Sequence, residues 1–554
     1  MTAVAANFRF ISRVAAVFIL LLVSQLVADE IPVSAHSSLA SAVPAPDSRQ
    51  EQAPEEIALT FNERIENKGF SLRVYNSKGL PVTEAEAVMN ANRKGLRLQL
   101  PMLEDGAYTV TYRLLSADGH PVRASYVFTV GLAANANIGY ASASQLHEEH
   151  DIRKNAGYWL IRGLYFMALL AVTGWIALRL YIPGFIAEYR RRYDRWRKLL
   201  LLIYVLALSL IAWKDYGKLS LGVESSERFT LLFGTSIGLS YLLSFILAVA
   251  GFVLLGRSKA ADIGWTVLLL GAKGLNGHAM GFSLPFITYG LDVLHLAAAS
   301  VWAGVLLLFL IFGLGRSRAS LSAYMPVASQ AALASIAALV LSGFAAAWLY
   351  TNGFTHLFET WWGKLMAAKA AAVLLVIAVG SLIRRQIKQR KMKRLSGWLG
   401  LDIALFLVII AITGIFTYLN PLAATGPLFW HENVRGVHIA AIITPNEAGE
   451  VNQFNVSIGG GGKNEGDSGT DKVTLRLLFE DNPDIAPIEV PLQPVQTNGS
   501  PLSLYSSYYS AEGRYLALPG KWTLEVRVLQ EGHSEPFLTR KAFYSEMKPK
   551  SDGD

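Results

Sequence analysis

Three residues in the first quarter of the chain, His36, Asp118 and His120, are of types that could together hold one metal ion. If the mature chain began at His36, its free α-amine and ring Nδ1 would form a chelate that needs no neighbour to pre-organise it. Asp118-Gly119-His120-Pro121-Val122 reads as a tight turn at a strand end, which could direct Asp118 and His120 to one sheet edge. Two nitrogens from His36, one from His120 and an oxygen from Asp118 make the tetragonal N,O set that Cu(II) prefers. Taken alone, Asp118 reads better as an ordinary Asp-Gly turn residue. The chain has no cysteine, so thiolate ligation and disulfides are excluded and any metal must be held by His, Met, carboxylate or backbone groups.

A second constellation lies in the apolar middle of the chain: His278 and Met280, then Asp292, His295 and Trp302. Asp292, His295, Ala299 and Trp302 are spaced by three, four and three residues, so they share one helix face. At 1.5 Å per residue His295 lies roughly 14 Å below the start of its span. An ionisable group at that depth is costly unless it meets a partner or water, which makes it a pathway candidate. A helix-packing hydrogen bond is the competing structural role. Lys364 and Lys369, on a later span, read as snorkelling or packing lysines rather than a metal route, since a cation repels copper.

The elements that must position these groups are of two kinds. With 52% apolar residues over 554 positions, the chain is a polytopic membrane protein rather than a soluble enzyme. Eight apolar spans are predicted, at about 157–182, 199–213, 229–255, 261–279, 286–313, 323–349, 361–383 and 398–419. The fourth is interrupted by Gly271, Lys273, Gly274, Asn276 and Gly277. Its omission would move later basic loops to the wrong side. The net charge of +8 sits largely in short Arg and Lys clusters after the odd-numbered spans, such as Arg190-Arg191-Arg192 and Arg384-Arg385. Bilayer orientation explains them better than nucleic acid does, and it places both ends of the chain outside the cytoplasm. All ten histidines then fall in outer domains, outer loops or the outer part of a span.

On either side of the spans the pattern alternates. Ser71-Leu72-Arg73-Val74-Tyr75 and Ala107-Tyr108-Thr109-Val110-Thr111-Tyr112 predict a small antiparallel β-sandwich, and Lys472 to Leu477 with Trp522 to Val528 predict a second. The glycine-rich stretch 459–466 reads as a loop of the second, too irregular for phosphate binding. Arg9 and Arg13, an apolar run from about Val14 to Val27 and then Val33-Ser34-Ala35 read as a signal peptide cut after Ala35. A retained anchor helix is the alternative. The predicted organisation is therefore a signal peptide over 1–35, a β-sandwich over 36–131, a linker over 132–156, an eight-helix membrane domain over 157–420 and a β-sandwich over 421–554. In fold class this is a polytopic α-helical membrane bundle flanked by two extracytoplasmic all-β sandwich domains, at the plasma membrane.

His36-Ser37-Ser38-Leu39, Pro44-Ala45-Pro46, Leu59-Thr60-Phe61-Asn62-Glu63 and Ser116 to Val122 together resemble CopC, the extracytoplasmic copper-binding sandwich, over about 36–131. That resemblance implies that His36, Asp118 and His120 hold Cu(II), and that Glu63 stands where a role is sometimes assigned. The methionine-rich Cu(I) motifs of some CopC proteins are missing, with only Met89 and Met102 in this region. Gly277-His278-Ala279, Asp292 to Gly304, and Trp362-Gly363-Lys364-Leu365 with Lys369 resemble CopD, the membrane partner of CopC, over about 155–420. The resemblance implies that His278 and His295, with Met280 and Asp292, line a transport path that could carry Cu(I). Val437-His438-Ile439 and Leu518 to Thr523 resemble the YtkA-like domain. The order of the three parts is similar to the YcnJ group of copper importers.

Copper uptake is the function these features imply, with the copper ion and the lipid bilayer as partners and an extracytoplasmic copper chaperone as a source that could load the site. Copper resistance by sequestration or export is the rival within transport. A membrane haem or copper oxidoreductase is the rival of another class, and the absence of a second pair of membrane histidines weakens it. No nucleotide-binding motif is present, so direct ATP drive is not expected. His431 and His438 could receive copper, although isolated exposed histidines are more often inert.

Overall fold

A computed structural model describes residues 39–131 apart from 47, 77 and 118–120. It also describes residues 152–417 apart from 221–227, 281–283, 314–316, 352, 353, 355, 356, 358, 359, 390 and 391, then 419, and residues 426–547 apart from 435, 436, 461–471, 483, 496–506 and 530–536. The predicted signal peptide and the glycine-rich stretch beyond Gly460 lie outside the described residues. The helices form one compact unit and the strands the other.

Strands β1 (Leu39–Val43), β3 (Glu56–Phe61), β5 (Val88–Met89) and β6 (Gly95–Gln99) make one sheet in the order β1-β3-β6-β5. Strands β2 (Arg49–Gln50), β4 (Ser71–Tyr75), β7 (Gly106–Leu115) and β8 (Pro121–Val130) make the other, in the order β2-β8-β7-β4. The alternation seen in the sequence is the reason: Ile57, Leu59 and Phe61, Leu72 and Val74, and Tyr108, Val110, Tyr112 and Leu114 all point into one core. Phe61 meets Tyr112 edge-on across it, at 5.6 Å between ring centres.

The strands after the helices repeat this plan on a larger scale. One sheet contains β9 (Leu428–Val434), β10 (Val437–Thr444), β12 (Asn452–Gly460), β15 (Gln493–Pro494) and β16 (Ser507–Gly513), in the order β15-β16-β12-β10-β9. The other contains β11 (Glu447–Ala448), β13 (Lys472–Phe479), β14 (Ile488–Val490), β17 (Gly520–Leu529) and β18 (Phe537–Met547), in the order β11-β18-β17-β13-β14. Trp522 is fully buried between them and donates its indole N–H to the Leu518 carbonyl at 3.0 Å. On the outer face of β17, Glu525 is covered by Arg527 and Arg540, with ion-pair distances of 2.8 and 2.7 Å.

The helical unit comprises α1 (Ile152–Tyr181), α2 (Pro183–Glu188), α3 (Arg190–Leu219), α4 (Arg228–Phe233), α5 (Ser236–Leu254), α6 (Lys259–Gly274), a 3-10 turn (His278–Met280), α7 (Pro285–Phe312), α8 (Ser317–Tyr350), α9 (Trp361–Lys388) and α10 (Met392–Phe416). Among the described residues, seven helices are long and apolar enough to cross a membrane. Three details differ from the sequence reading. The predicted fourth span is α6, only 16 residues long. That is about 24 Å of helix against roughly 30 Å of hydrocarbon. It ends at Gly274 with Leu275 as its C-cap, and Gly277, at φ 153°, then lets the chain swing into the 3-10 turn. The predicted third span is divided at Gly234-Thr235, where the Thr235 hydroxyl caps α5 by accepting from Gly238 N–H at 3.1 Å. The helix carrying the first span begins at Ile152, inside the predicted linker, while the apolar span itself runs Gly157–Tyr181.

At the centre stand α1 and α7, with 72% and 61% of their most apolar stretches buried. They cross at Gly174 and Gly304, each with no room for a Cβ: one on Gly174 would collide with the Ser300 carbonyl oxygen, and one on Gly304 with that of Gly174. Close approach of this kind replaces hydrophobic drive between helices in a bilayer. Thr173 and Ser300 share a hydroxyl hydrogen bond of 2.8 Å at the same crossing. The helix carrying Asp292 and His295 is therefore packed closely against α1.

Candidate functional site

His36, Asp118 and His120 lie outside the described residues, but the register of their neighbours is informative. Leu39, at the start of β1, pairs with Phe61 at the end of β3. Two residues further on is Glu63, and Ile65 then bridges to Ser116. Leu115 in turn pairs with Pro121 at the end of the β7–β8 ladder. The sheet registers bring Leu39, Glu63, Ser116 and Pro121 to one end of the sandwich. Glu63 is 1% exposed. Beside it Lys94 donates to the Asn62 carbonyl at 3.1 Å. Burial holds the Lys94 ammonium below its usual range, with the Glu63 charge opposing that and the Arg64 charge adding to it. On the other side of the same loop the Arg93 guanidinium donates to the Ile65 carbonyl at 2.8 Å and pairs with Glu66 at 3.5 Å. Glu63 is thus buried in a loop whose neighbours Lys94, Arg93 and Glu66 are charged.

In the helical unit His278 and Met280 occupy the 3-10 turn between α6 and α7. The side chain of His278 lies outside the described residues. Thr288 anchors the turn to the first part of α7 by donating to the Ala279 carbonyl at 2.5 Å. Twelve residues after Met280, Asp292 is half-buried on α7, where its carboxylate interacts through charge with Lys273 of α6 and Lys369 of α9. One turn further along, His295 is half-buried and its Nδ1 lies 2.9 Å from the Ser342 hydroxyl on α8. That hydroxyl donates its single proton to the Ala338 carbonyl at 2.7 Å. With the hydroxyl proton on that carbonyl, Nδ1 is the N–H donor to Ser342 and Nε2 keeps its lone pair, one of the two tautomers the distances allow. Ser342 also fixes the ring's direction, as partners of metal-ligating histidines do.

Lys369, set aside in the sequence reading as a packing lysine, lies over the Phe416 ring at 5.4 Å and also acts by charge on His295. Lys364 is exposed and lies over Trp361 at 4.6 Å. Trp302 packs edge-on against Phe406 at 5.0 Å.

Several groups escaped the sequence reading. Tyr158 donates to Asp215 at 2.7 Å, Arg162 donates to Tyr158 at 2.9 Å and to the Thr417 carbonyl at 3.1 Å, and Tyr241 hydrogen-bonds the other oxygen of Asp215. Arg162 and Asp215 act in turn on Lys273. A line of charge therefore runs from α3 through α1 and α6 to Asp292 and Lys369. Its signal in the sequence was the presence of Arg162 and Lys273 inside otherwise apolar helices.

Residues 39–131 match the family model described as the CopC domain, and residues 322–416 match that described as Copper resistance protein D. Glu63, Asp118 and His120 fall inside the first range. Ser342, Lys369 and Asp402 fall inside the second, whereas His278, Met280, Asp292 and His295 precede it. Copper transport protein CutJ of Bacillus subtilis (strain 168) is 24% identical over 451 residues, covering 75% of this chain and 80% of that protein. Copper resistance protein C of Escherichia coli is 37% identical over 106 residues, covering 17% of this chain and 82% of that protein. Among solved structures, that of CopC from Methylosinus trichosporium OB3b is 34% identical, covers 17% of this chain and 94% of that chain, and has a TM-score of 0.17.

Proposed function

Because the chain belongs to the CopC family and carries a CopD domain in the same polypeptide, we propose that it takes copper up across the bacterial plasma membrane, capturing Cu(II) in its N-terminal sandwich and passing the ion to its own helices. The chain is a multi-pass membrane protein related to copper transport and copper resistance proteins. The direction, the ligands and the hand-off are the proposed part.

Capture is assigned to the His36 amine and Nδ1, a His120 nitrogen and an Asp118 oxygen, with Glu63 at the same end of the sandwich. Four donors of this type in a tetragonal set select Cu(II) over Zn(II) and most other divalent ions. Both sandwiches face outward on the reading that α6, short as it is, completes an eighth crossing, since the basic clusters then mark the cytoplasmic loops. The ion then meets Met280 and His278 on the turn between α6 and α7, a soft thioether and an imidazole suited to Cu(I) should reduction precede entry. Asp292 and His295 follow on one face of α7. In the metal-free protein Lys273 and Lys369 offset the Asp292 charge, and an entering cation displaces that balance.

The observation that carries the membrane step is the Ser342–His295 pair, because it supports an imidazole held within a span with its metal-binding nitrogen deprotonated. Direction is tested by deleting the gene. Uptake predicts poor growth under copper starvation and unchanged or better tolerance of copper excess. Export or sequestration predicts the reverse, a strain sensitive to excess and normal under starvation.

A further inference from the structure

The C-terminal sandwich carries two histidines that the sequence separates by seven positions and the fold brings together. In the pairing of β9 with β10, His431 stands opposite Ala440 and His438 opposite Asn433. Residues directly opposite share a face, and so do residues two apart on a strand, so both imidazoles lie on the same side of the sheet as a diagonal pair. His431 Nε2 is 3.3 Å from His438 Nδ1, and the rings are nearly parallel, 22° apart with centres at 5.5 Å. Strand β9 is the edge of its sheet, and His431 is exposed on it while His438 is half-buried. On the inner side of the pair, Ala440 packs on Tyr508 and Ser457 is 5% exposed, so one flank is dry and the other open to solvent.

We propose that His431 and His438 form a second metal site, a two-imidazole clamp for a borderline transition-metal ion such as copper or zinc, with its remaining positions open to water or to a ligand from a partner. Two nitrogens 3.3 Å apart, each roughly 2.0–2.1 Å from one ion, subtend about 105–110° at it, the tetrahedral value. A modest closing of the pair brings the angle towards 90° for a tetragonal ion. The exposed His431 ring can make either adjustment through its soft terminal torsion. Proton bookkeeping is neutral. In the metal-free pair one ring N–H faces the other ring's lone pair, and on binding that proton moves through solvent to the same ring's outer nitrogen, so both rings stay uncharged and both inner lone pairs meet the ion. A site on an edge strand, open on one side, can exchange its ion with another protein. It does not depend on the direction of transport.

The test uses the full-length protein in detergent, titrated with Cu(II) alone and with Zn(II) alone, and the bound metal counted after removal of free ions. His431→Asn, His438→Asn and the double variant leave residues 36, 118 and 120 intact. Each is expected to bind one ion fewer per chain than the parent, with equal losses in the single and double variants because the clamp needs both nitrogens. Zn(II) should raise the unfolding temperature of the parent and not of the variants, a shift that a fold-only role for the histidines would not produce. A double variant that folds and binds both ions with the parent's stoichiometry overturns the site and leaves a hydrogen-bonded histidine pair. Loss of Cu(II) from the N-terminal sandwich with retention here would instead count against the capture site alone.

Discussion

At His295 one proton decides the chemistry. The Ser342 hydroxyl lies within hydrogen-bond reach of both the Ala338 carbonyl and His295 Nδ1, and with its proton on the carbonyl the imidazole donates from Nδ1 and keeps its lone pair on Nε2. Ser342→Ala should leave the helices assembled, at a cost of about 1 kcal/mol for the lost hydrogen bond. It should also slow copper transport, because the ring loses both its tautomer and its aim. Ser342→Thr should retain most of the rate. Parallel assays of transport and thermal unfolding check this, and an alanine variant that transports at the parent's rate would make the serine mere packing. His295 was legible in the sequence because ionisable groups are rare within apolar helices. Ser342 was not, since it lies 47 residues away on another helix and nothing in local spacing announces a tertiary partner. The residues of the proposed capture site were legible by type and order, through their resemblance to a family rather than through geometry.

Two helix and strand contacts make predictions of their own. The crossing of α1 and α7 has no space for side chains at Gly174 and Gly304. Gly174→Leu should force the helices apart and abolish properly assembled protein in the membrane, whereas Gly380→Leu, at a position where a Cβ meets nothing, should be tolerated. Monodispersity of the two variants after extraction in detergent reads the difference, and equal behaviour would refute the crossing. In the C-terminal sandwich, burial opposes ionisation of Glu525, but hydrogen bonds from Arg540 and Arg527 outweigh it and hold the carboxyl below its usual range. A carboxyl whose folded pKa lies below its unfolded value stabilises the fold above the ordinary carboxyl range and loses that contribution as pH falls through the lowered folded value. Glu525→Gln should therefore cost about 1–3 kcal/mol near neutrality, with the gap to the parent closing in acid. Calorimetric unfolding of parent and variant across pH measures it, and a gap that stays constant into acid would contradict the assignment.

The spans and alternating strands were readable from hydropathy and period alone, because a bilayer needs about 20 apolar residues per crossing and a half-buried strand repeats every two. The interruptions were harder. Thr235 caps α5 within the predicted third span, and α6 ends early at Gly274 ahead of the turn at Gly277, and both are local backbone features that an average over a window erases.

At the scale of the whole molecule, capture and passage are proposed to act in series within one chain, so loss of either stops transport while only one abolishes capture. The most direct measurement is copper accumulation under copper limitation by cells that lack the native gene and express, at matched levels, the parent, His120→Ala or His295→Leu. Uptake through the chain predicts that the parent restores cellular copper and both variants fail, with the purified His295→Leu protein still binding Cu(II) at its N-terminal sandwich. Accumulation by the His295→Leu cells at the parent's rate would show that copper does not pass by way of α7, and a rise in cellular copper when the gene is deleted would reverse the direction of transport.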